Sequence, residues 1–221
     1  MNTELIHIYF VPGLAASKEI FRNISMDPNR YEVHIIDWII PKKKESLAEY
    51  AQRMALKVAH PHSVLIGVSF GGVVAQEMSQ YLQLKQLMII SSVKTRFELP
   101  RRMRLAKKTK AYKLLPTGWA LSIKDLTKLA IGPRSKRRLQ LYQEYLWVRD
   151  KNYLDWAIEN MVCWQREVAV PRVVHIHGDQ DPVFPIRYIN DANVLEGGTH
   201  IMILNKGSRI SKILDNILSS T

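Results

Sequence analysis

Hydrophobic positions along the chain follow two spacings that alternate. Short apolar runs of strand length recur between segments in which apolar residues return every three or four positions, as on one face of a helix. The runs predict strands at 6–11, 31–37, 63–68, 86–91, 172–177 and, more briefly, 188–195. Helices are predicted from about residue 18, over 46–60, after residue 69 and over 201–219. Strands that alternate with helices indicate a parallel sheet, and 221 residues suffice for one domain with an insertion.

One segment breaks this alternation. From about residue 94 to 166 the spacing is helical, and no run of strand length is convincing. Residues 94–138 hold fifteen basic and two acidic side chains, a net charge of +13, so the rest of the chain carries −1 of the total of +12. We therefore predict a core of residues 1–93 and 167–221, with a strongly basic helical insertion at 94–166.

The third predicted strand runs directly into Gly67-Val68-Ser69-Phe70-Gly71, a Gly-x-Ser-x-Gly pattern that a helical stripe follows. A serine at such an abrupt turn needs strained backbone, and the residues two positions away on each side must be nearly without side chain. The turn projects the hydroxyl above the sheet edge, over a helix N-terminus that favours a developing oxyanion. The pattern is typical of a nucleophile elbow, although a glycine-rich connection with a helix-capping serine has the same letters.

Partners for such a serine occur after two later strands. The loops concerned are GDQDPVFP at 178–185 and GGTH at 197–200. Ligand-binding and catalytic groups of open parallel sheets gather at the carboxyl ends of the strands, so Ser69, an aspartate and His200 can converge there. The histidine would then act as base, and the aspartate would orient it. Both Asp179 and Asp181 are candidates for that acid.

Together these motifs resemble the α/β-hydrolase superfamily over nearly the whole chain. The matching segments are Pro12-Gly13-Leu14 after the first strand, the elbow, Gly178-x-x-Asp181-Pro182-x-x-Pro185 and Gly198-Thr199-His200. The resemblance implies an α/β-hydrolase fold, a mostly parallel sheet with helices on both faces and a helical cap insertion. It also implies site residues: Ser69 as nucleophile, His200 as base, Asp181 rather than Asp179 as acid, and the backbone amides of Leu14 and Phe70 as oxyanion hole. Many members carry His-Gly where this chain has Pro-Gly, a change that removes no backbone amide.

The predicted activity is hydrolysis of a carboxylic ester or thioester through an acyl-enzyme, with no cofactor. An acyltransferase with the same triad is an alternative, and so is a non-catalytic ligand-binding or membrane-associated protein of this fold. By resemblance, the basic insertion is a cap that shapes the pocket. Three interpretations of its charge stay open. The charge solvates the surface, it attracts an anionic substrate or carrier such as a coenzyme A thioester, or it docks the protein on an anionic membrane surface. Nucleic-acid binding is disfavoured, because no recognition fold accompanies the charge.

The remaining histidines and the single cysteine indicate no further chemistry. The segment His175-Ile176-His177-Gly178-Asp179 begins like a dinuclear metal site, but Gln180 stands where another histidine is needed, so we expect no metal there. The other histidines are predicted to form no ligand group at all: His7, His34, His60 and His62. Cys163 lies in a stretch of helical spacing and is predicted to be structural. The absence of a leader or a long apolar run predicts a soluble cytoplasmic protein, and the sequence does not determine its oligomeric state.

Overall fold

A computed structural model describes residues 5–114 and 150–220. Its strands are β1 Ile6–Val11, β2 Tyr31–Ile35, β3 Ser63–Val68, β4 Leu84–Ile90, β5 Val174–Gly178 and β6 Asn193–Leu195. In the described parts of the chain they form a single six-stranded sheet in the order β2-β1-β3-β4-β5-β6, and every neighbouring pair is parallel. The predicted parallel sheet is therefore confirmed.

Helices connect most of these strands. They are α1 Leu47–Ala55, α2 Phe70–Met78, α3 Arg101–Thr109, α4 Lys151–Cys163, α5 Met202–Asn205 and α6 Gly207–Ser219. Short 3-10 turns occupy Lys18–Phe21, Ser79–Tyr81, Arg96–Glu98, Ala111–Leu114 and Ile186–Tyr188. α1 begins with a capping box, in which the Ser46 hydroxyl accepts from the Glu49 amide and the Glu49 carboxylate accepts from the Ser46 amide. No helix in residues 5–114 or 150–220 has the length and hydrophobicity needed to cross a bilayer.

Alternate residues of the central strands enter two separate cores. Tyr9 and Leu65 pack in the core that includes side chains of α1, α2 and α4, whereas Ile8 and Ile66 pack in the core that includes α5 and α6. Successive side chains of a strand point to opposite faces, so a sheet covered on both sides needs apolar residues at nearly every position. The helices on both faces that the family resemblance implied are present.

Two elements near the C-terminal end differ from the prediction. The strand predicted at 188–195 is only three residues long, because the chain first makes a 3-10 turn and then a left-handed turn at Asp191, where φ is 47°. The predicted closing helix is broken in two at Lys206, whose φ of −129° is not helical. A Cβ at Gly207 would lie 2.3 Å from the carbonyl oxygen of Asn23, so the second helix starts at a glycine that lets two backbones touch.

The described parts of the predicted insertion contain α3, α4 and two short turns, and no strand. α4 supplies Tyr153, which is fully buried, to the same core as α1 and α2. The remainder of the insertion, 115–149, lies outside the described residues. The boundaries at 94 and 166 thus stay a prediction.

Candidate active site

Ser69 lies at the sharp turn between β3 and α2. Its backbone has φ 55° and ψ −121°, a left-handed conformation that costs a non-glycine residue about 1–3 kcal/mol. Two hydrogen bonds hold the residue there: its amide donates to the carbonyl of Ile90 at 2.9 Å, and the Ser92 hydroxyl donates to its carbonyl at 2.7 Å. The end of β4 therefore fixes the strained turn, and the turn is the geometry expected of a nucleophile elbow.

The two glycines of the elbow are required by close backbone contacts. A Cβ on Gly67 would lie 2.3 Å from the carbonyl oxygen of Gly71. A Cβ on Gly71 would lie 2.2 Å from the carbonyl oxygen of Pro12, in the loop after β1. Since these distances are far below van der Waals contact, neither position accepts a side chain without backbone movement. The same contacts bring the loop after β1 against the start of α2.

The side chains of Ser69, His200 and Asp181 form one hydrogen-bonded chain. Ser69 Oγ lies 2.9 Å from His200 Nε2, and His200 Nδ1 lies 2.9 Å from Asp181 Oδ2. Because a carboxylate only accepts, Nδ1 carries the proton and Nε2 is free to accept the serine proton. The residues alone left Asp179 and Asp181 open, and the family resemblance implied Asp181; it is Asp181 that contacts the histidine. Within residues 5–114 and 150–220, nothing forms a hydrogen bond with the buried Oδ1 of Asp179.

Asp181 is held as a charged group although it is only 4% exposed. Its Oδ1 accepts from the amides of Val183 and Phe184, at 2.7 and 2.9 Å. Burial by itself raises the pKa of Asp181, but the charge and hydrogen bond of His200, together with the Phe184 amide, outweigh burial and leave the pKa below its usual value. The carboxylate is therefore ionised whenever the histidine needs an anionic partner.

Two further histidines lie behind this carboxylate. His177 Nε2 donates to the Phe184 carbonyl at 2.8 Å, which leaves its Nδ1 to accept from His175 Nε2 at 3.1 Å. Burial lowers the pKa of His177, although the Asp181 carboxylate 3.6 Å away opposes this shift. Both rings thus bond core groups, and they belong to no group of potential metal ligands within the described ranges.

The loop after β1 brings a second backbone amide to the serine. The amides of Leu14 and Phe70 both belong to residues that line the pocket at Ser69, and neither donates a hydrogen bond inside the part of the chain that the structure covers. The carbonyl of Gly13 is held by the Trp38 indole N–H at 2.9 Å. Trp38 is not one of the residues that the sequence pointed to. It follows β2, and its ring also stacks on Phe70 with centroids 5.8 Å apart. A lone tryptophan after a strand gives no signal of such a role.

A pocket of about 420 Å³ opens above Ser69 and His200. Its walls are almost entirely apolar and include Leu14, Phe70, Met103, Ile158, Met161 and Phe184. Arg102 also lines it, and its guanidinium donates to the carbonyls of Pro182 and Val183 at 2.7 and 2.9 Å. α3 is thereby tied to the loop that carries Asp181. The chemical character of the pocket suits an apolar group next to the serine.

α3 presents two different faces. Met103 and Ala106 face the pocket, while Arg101, Arg104 and Lys108 are exposed to solvent. Its nine residues include five basic and no acidic side chains. The helix that contributes Met103 and Ala106 to the pocket thus also carries a cluster of positive charge.

Known proteins are similar to this chain in their structure. No protein-family model matches this sequence, and no curated protein sequence does. A hydrolase from Oleispira antarctica superposes with a TM-score of 0.72 at 11% identity, over 100% of this chain and 93% of its own. An esterase from Thermogutta terrifontis superposes with a TM-score of 0.70 at 12% identity, over 97% and 90%.

The chain has the α/β-hydrolase fold. A Bacillus megaterium epoxide hydrolase also matches, with a TM-score of 0.63 at 15% identity over 99% of this chain and 95% of its own. Since esterases and an epoxide hydrolase share this fold, the α/β-hydrolase fold does not decide the reaction, which must be argued from the site.

Proposed function

We propose that the protein hydrolyses carboxylic esters through an acyl-enzyme on Ser69. The observation that carries the proposal is the pair of 2.9 Å hydrogen bonds that links Ser69, His200 and Asp181 at the floor of an apolar pocket. Ser69 Oγ attacks the carbonyl carbon while His200 Nε2 takes the hydroxyl proton. The imidazolium returns that proton to the leaving alcohol as its bond to the acyl carbon breaks.

Water completes the cycle in the same site. His200 removes a proton from a water molecule, which attacks the acyl carbon, and the ester bond to Ser69 breaks as the proton returns to Oγ. Asp181 stabilises the imidazolium in both halves. The amides of Leu14 and Phe70 are the proposed oxyanion donors, and the hydrogen bond from Trp38 to the Gly13 carbonyl supports the orientation of that loop.

Turnover of p-nitrophenyl esters tests this function. Wild type is expected to release p-nitrophenol from butyrate and hexanoate esters and to gain one fluorophosphonate label. Ser69→Ala is expected to lose the label and almost all activity, by about 10⁴-fold or more, whereas Ser208→Ala, at an exposed serine of α6, keeps both. Equal inactivity of wild type and Ser69→Ala on a broad ester panel would refute the proposal and favour the ligand-binding alternative.

The basic face of α3 favours a second, narrower candidate, which is a thioester on an anionic carrier. A coenzyme A thioester carries several phosphate charges that a positive rim attracts, while its acyl chain is apolar. The same triad cleaves a C–S bond, with the thiolate protonated by His200. The charge of α3 and the apolar pocket together support this substrate class.

Charge reversal beside the pocket tests the narrower candidate. Arg104→Glu/Lys107→Glu is expected to raise KM for butyryl-coenzyme A by about tenfold or more and to leave KM for p-nitrophenyl butyrate unchanged. The matched control is Lys57→Glu/Lys85→Glu, at exposed residues after α1 and at the start of β4. Added salt is expected to act in the same direction as the reversal. If added salt changes KM equally for the thioester and the neutral ester, the narrower candidate is refuted, and the charge of α3 serves only to solvate the surface.

A further inference from the structure

Three histidines from β1, β2 and the segment before β3 meet away from the edge that carries Ser69. His7 lies near the start of β1, His34 on β2 and His60 in the segment before β3. Each offers a ring nitrogen, and these three atoms lie within 4.8 Å of one another. The cluster is half-buried, so solvent reaches it. The residues are separated by 26 or more positions, which is why no spacing in the sequence revealed the group.

Strand pairing places a carboxylate in the same cluster. In the parallel register His7 is opposite Glu32, and Tyr9 is opposite His34. Since residues two apart on a strand share a face, the side chains of all four point to one side of the sheet. The arrangement follows from the pairing of β1 with β2.

The distance between the His7 and His34 nitrogens is close to that between two ligands of one tetrahedral metal ion. His7 Nδ1 lies 3.0 Å from His34 Nε2. Oε2 of the Glu32 carboxylate lies 3.5 Å from His7 Nδ1, and Oε1 lies 3.7 Å from His34 Nε2. Zinc–nitrogen bonds of about 2.0–2.1 Å at tetrahedral angles put two ligand atoms about 3.3 Å apart. The His7 and His34 nitrogens thus lie at nearly the spacing of two zinc ligands, and the Glu32 carboxylate lies beside both of them.

His60 supplies the fourth position and is oriented by a neighbour. The Tyr9 hydroxyl oxygen accepts from the Ala59 amide at 3.1 Å and lies 2.6 Å from His60 Nδ1, whose N–H donates to it in the tautomer that binds metal. Such a bond on one ring nitrogen leaves the other, Nε2, as the available ligand atom, as is usual for metal-bound histidine. The rings of His60 and His7 stack with centroids 3.5 Å apart and planes at 2°. Lone pairs of parallel rings do not converge, so binding requires the His60 ring to tilt out of this stack.

We propose that His7, His34 and His60, together with Glu32, form a binding site for a zinc ion. Imidazole and carboxylate donors in tetrahedral arrangement suit Zn²⁺, and binding releases the proton that now lies between His7 Nδ1 and His34 Nε2. The ion joins β1, the edge strand β2 and the segment before β3. Its effect is to stabilise the sheet edge, and the site is independent of the proposed hydrolysis.

Zinc binding to the full chain, with any purification tag removed, tests the site. Equilibrium dialysis against micromolar ZnCl₂ with metal analysis is expected to give one zinc per chain, and the Tm is expected to rise with zinc concentration. Co²⁺ is expected to bind at the same stoichiometry with the visible absorption of a tetrahedral ion. Far-UV circular dichroism checks that each variant is folded.

Single substitutions separate this site from adventitious binding. His7→Gln and His34→Gln are each expected to weaken zinc affinity by about tenfold or more, and Glu32→Gln by less. The matched control His62→Gln removes an exposed histidine outside the cluster and is expected to bind like wild type. His200→Gln, in the triad, is likewise expected to retain zinc. The proposal is overturned if wild type retains no zinc, if folded His7→Gln and His34→Gln bind it unchanged, or if His200→Gln abolishes binding.

Discussion

Replacement of Asp181 by asparagine tests the proposed triad most directly, because its surroundings dictate how the new side chain must sit. Two backbone amides, from Val183 and Phe184, donate to Oδ1 at 2.7 and 2.9 Å. Only the amide oxygen of asparagine can accept from them, so the NH₂ group must face His200 Nδ1. Since NH₂ only donates there, Nδ1 becomes the acceptor and the imidazole proton moves to Nε2, facing Ser69. The base then lacks a free lone pair for the serine proton.

The size of the loss follows from these contacts. A wrong tautomer in a serine triad costs about 10⁴ in kcat, or about 5.5 kcal/mol. The asparagine can escape by flipping its amide, but the flip leaves two buried N–H donors without acceptors, at about 1–3 kcal/mol each. Even at about 2 kcal/mol in total, only about one molecule in 30 retains the productive tautomer.

The assay is kcat for p-nitrophenyl butyrate, with folding checked by circular dichroism. Asp179→Asn is the matched control, since it makes the same chemical change two residues earlier, where Oδ1 forms no hydrogen bond with any residue that the structure describes. We expect Asp179→Asn to keep nearly wild-type kcat. A loss below about 30-fold in folded Asp181→Asn, or an equal loss in Asp179→Asn, would refute the proposed role of Asp181.

Three further predictions concern the supports of the site and the buried histidines. Gly71→Ala puts a Cβ 2.2 Å from a carbonyl oxygen of the loop after β1 and is expected to lower the free energy of unfolding, measured in urea titrations, by about 1–3 kcal/mol or more. In the control Gly13→Ala, the new Cβ has its nearest contacts at 3.6 and 3.7 Å, so the free energy of unfolding is expected to change little. Similar stability of the two variants would contradict the steric argument. Trp38→Phe removes the indole hydrogen bond to the Gly13 carbonyl and is expected to lower kcat by about 10–100-fold without loss of fold, and an unchanged kcat would dissociate this bond from catalysis. Burial, assisted by the positive charges of neighbouring groups, holds the pKa of His175 well below its usual value, so below about pH 6.5 the unfolded chain takes up a proton that the folded chain does not. The free energy of unfolding is therefore expected to fall as the pH drops, by up to about 1.4 kcal/mol per pH unit for this group. His175→Phe is expected to reduce that slope. The control His62→Gln, at an exposed histidine, is expected to reduce it far less.

Much of the architecture could be predicted from local pattern. β1 and β3 run over the predicted residues, because uninterrupted apolar runs bounded by polar turns have few other stable arrangements. The elbow could also be predicted, since its glycines and serine are required by backbone geometry that the sequence displays directly. The closing helix is predicted less accurately: it breaks at Lys206, next to the close approach of Gly207 to Asn23, a residue far away along the chain.

The amino-acid order alone thus determined the sheet, its helices and the candidate residues Ser69 and His200, since these depend on short-range periodicity and on motifs a few residues long. The family resemblance implied Asp181, and the tertiary structure adds the contact of its carboxylate with His200. Only the tertiary structure decided that Trp38 holds the loop after β1 and that three distant histidines meet beside Glu32. The physical reason is that hydrogen bonds and metal coordination act over about 2–3 Å, and the packing of non-adjacent segments, which no local pattern encodes, sets distances on that scale.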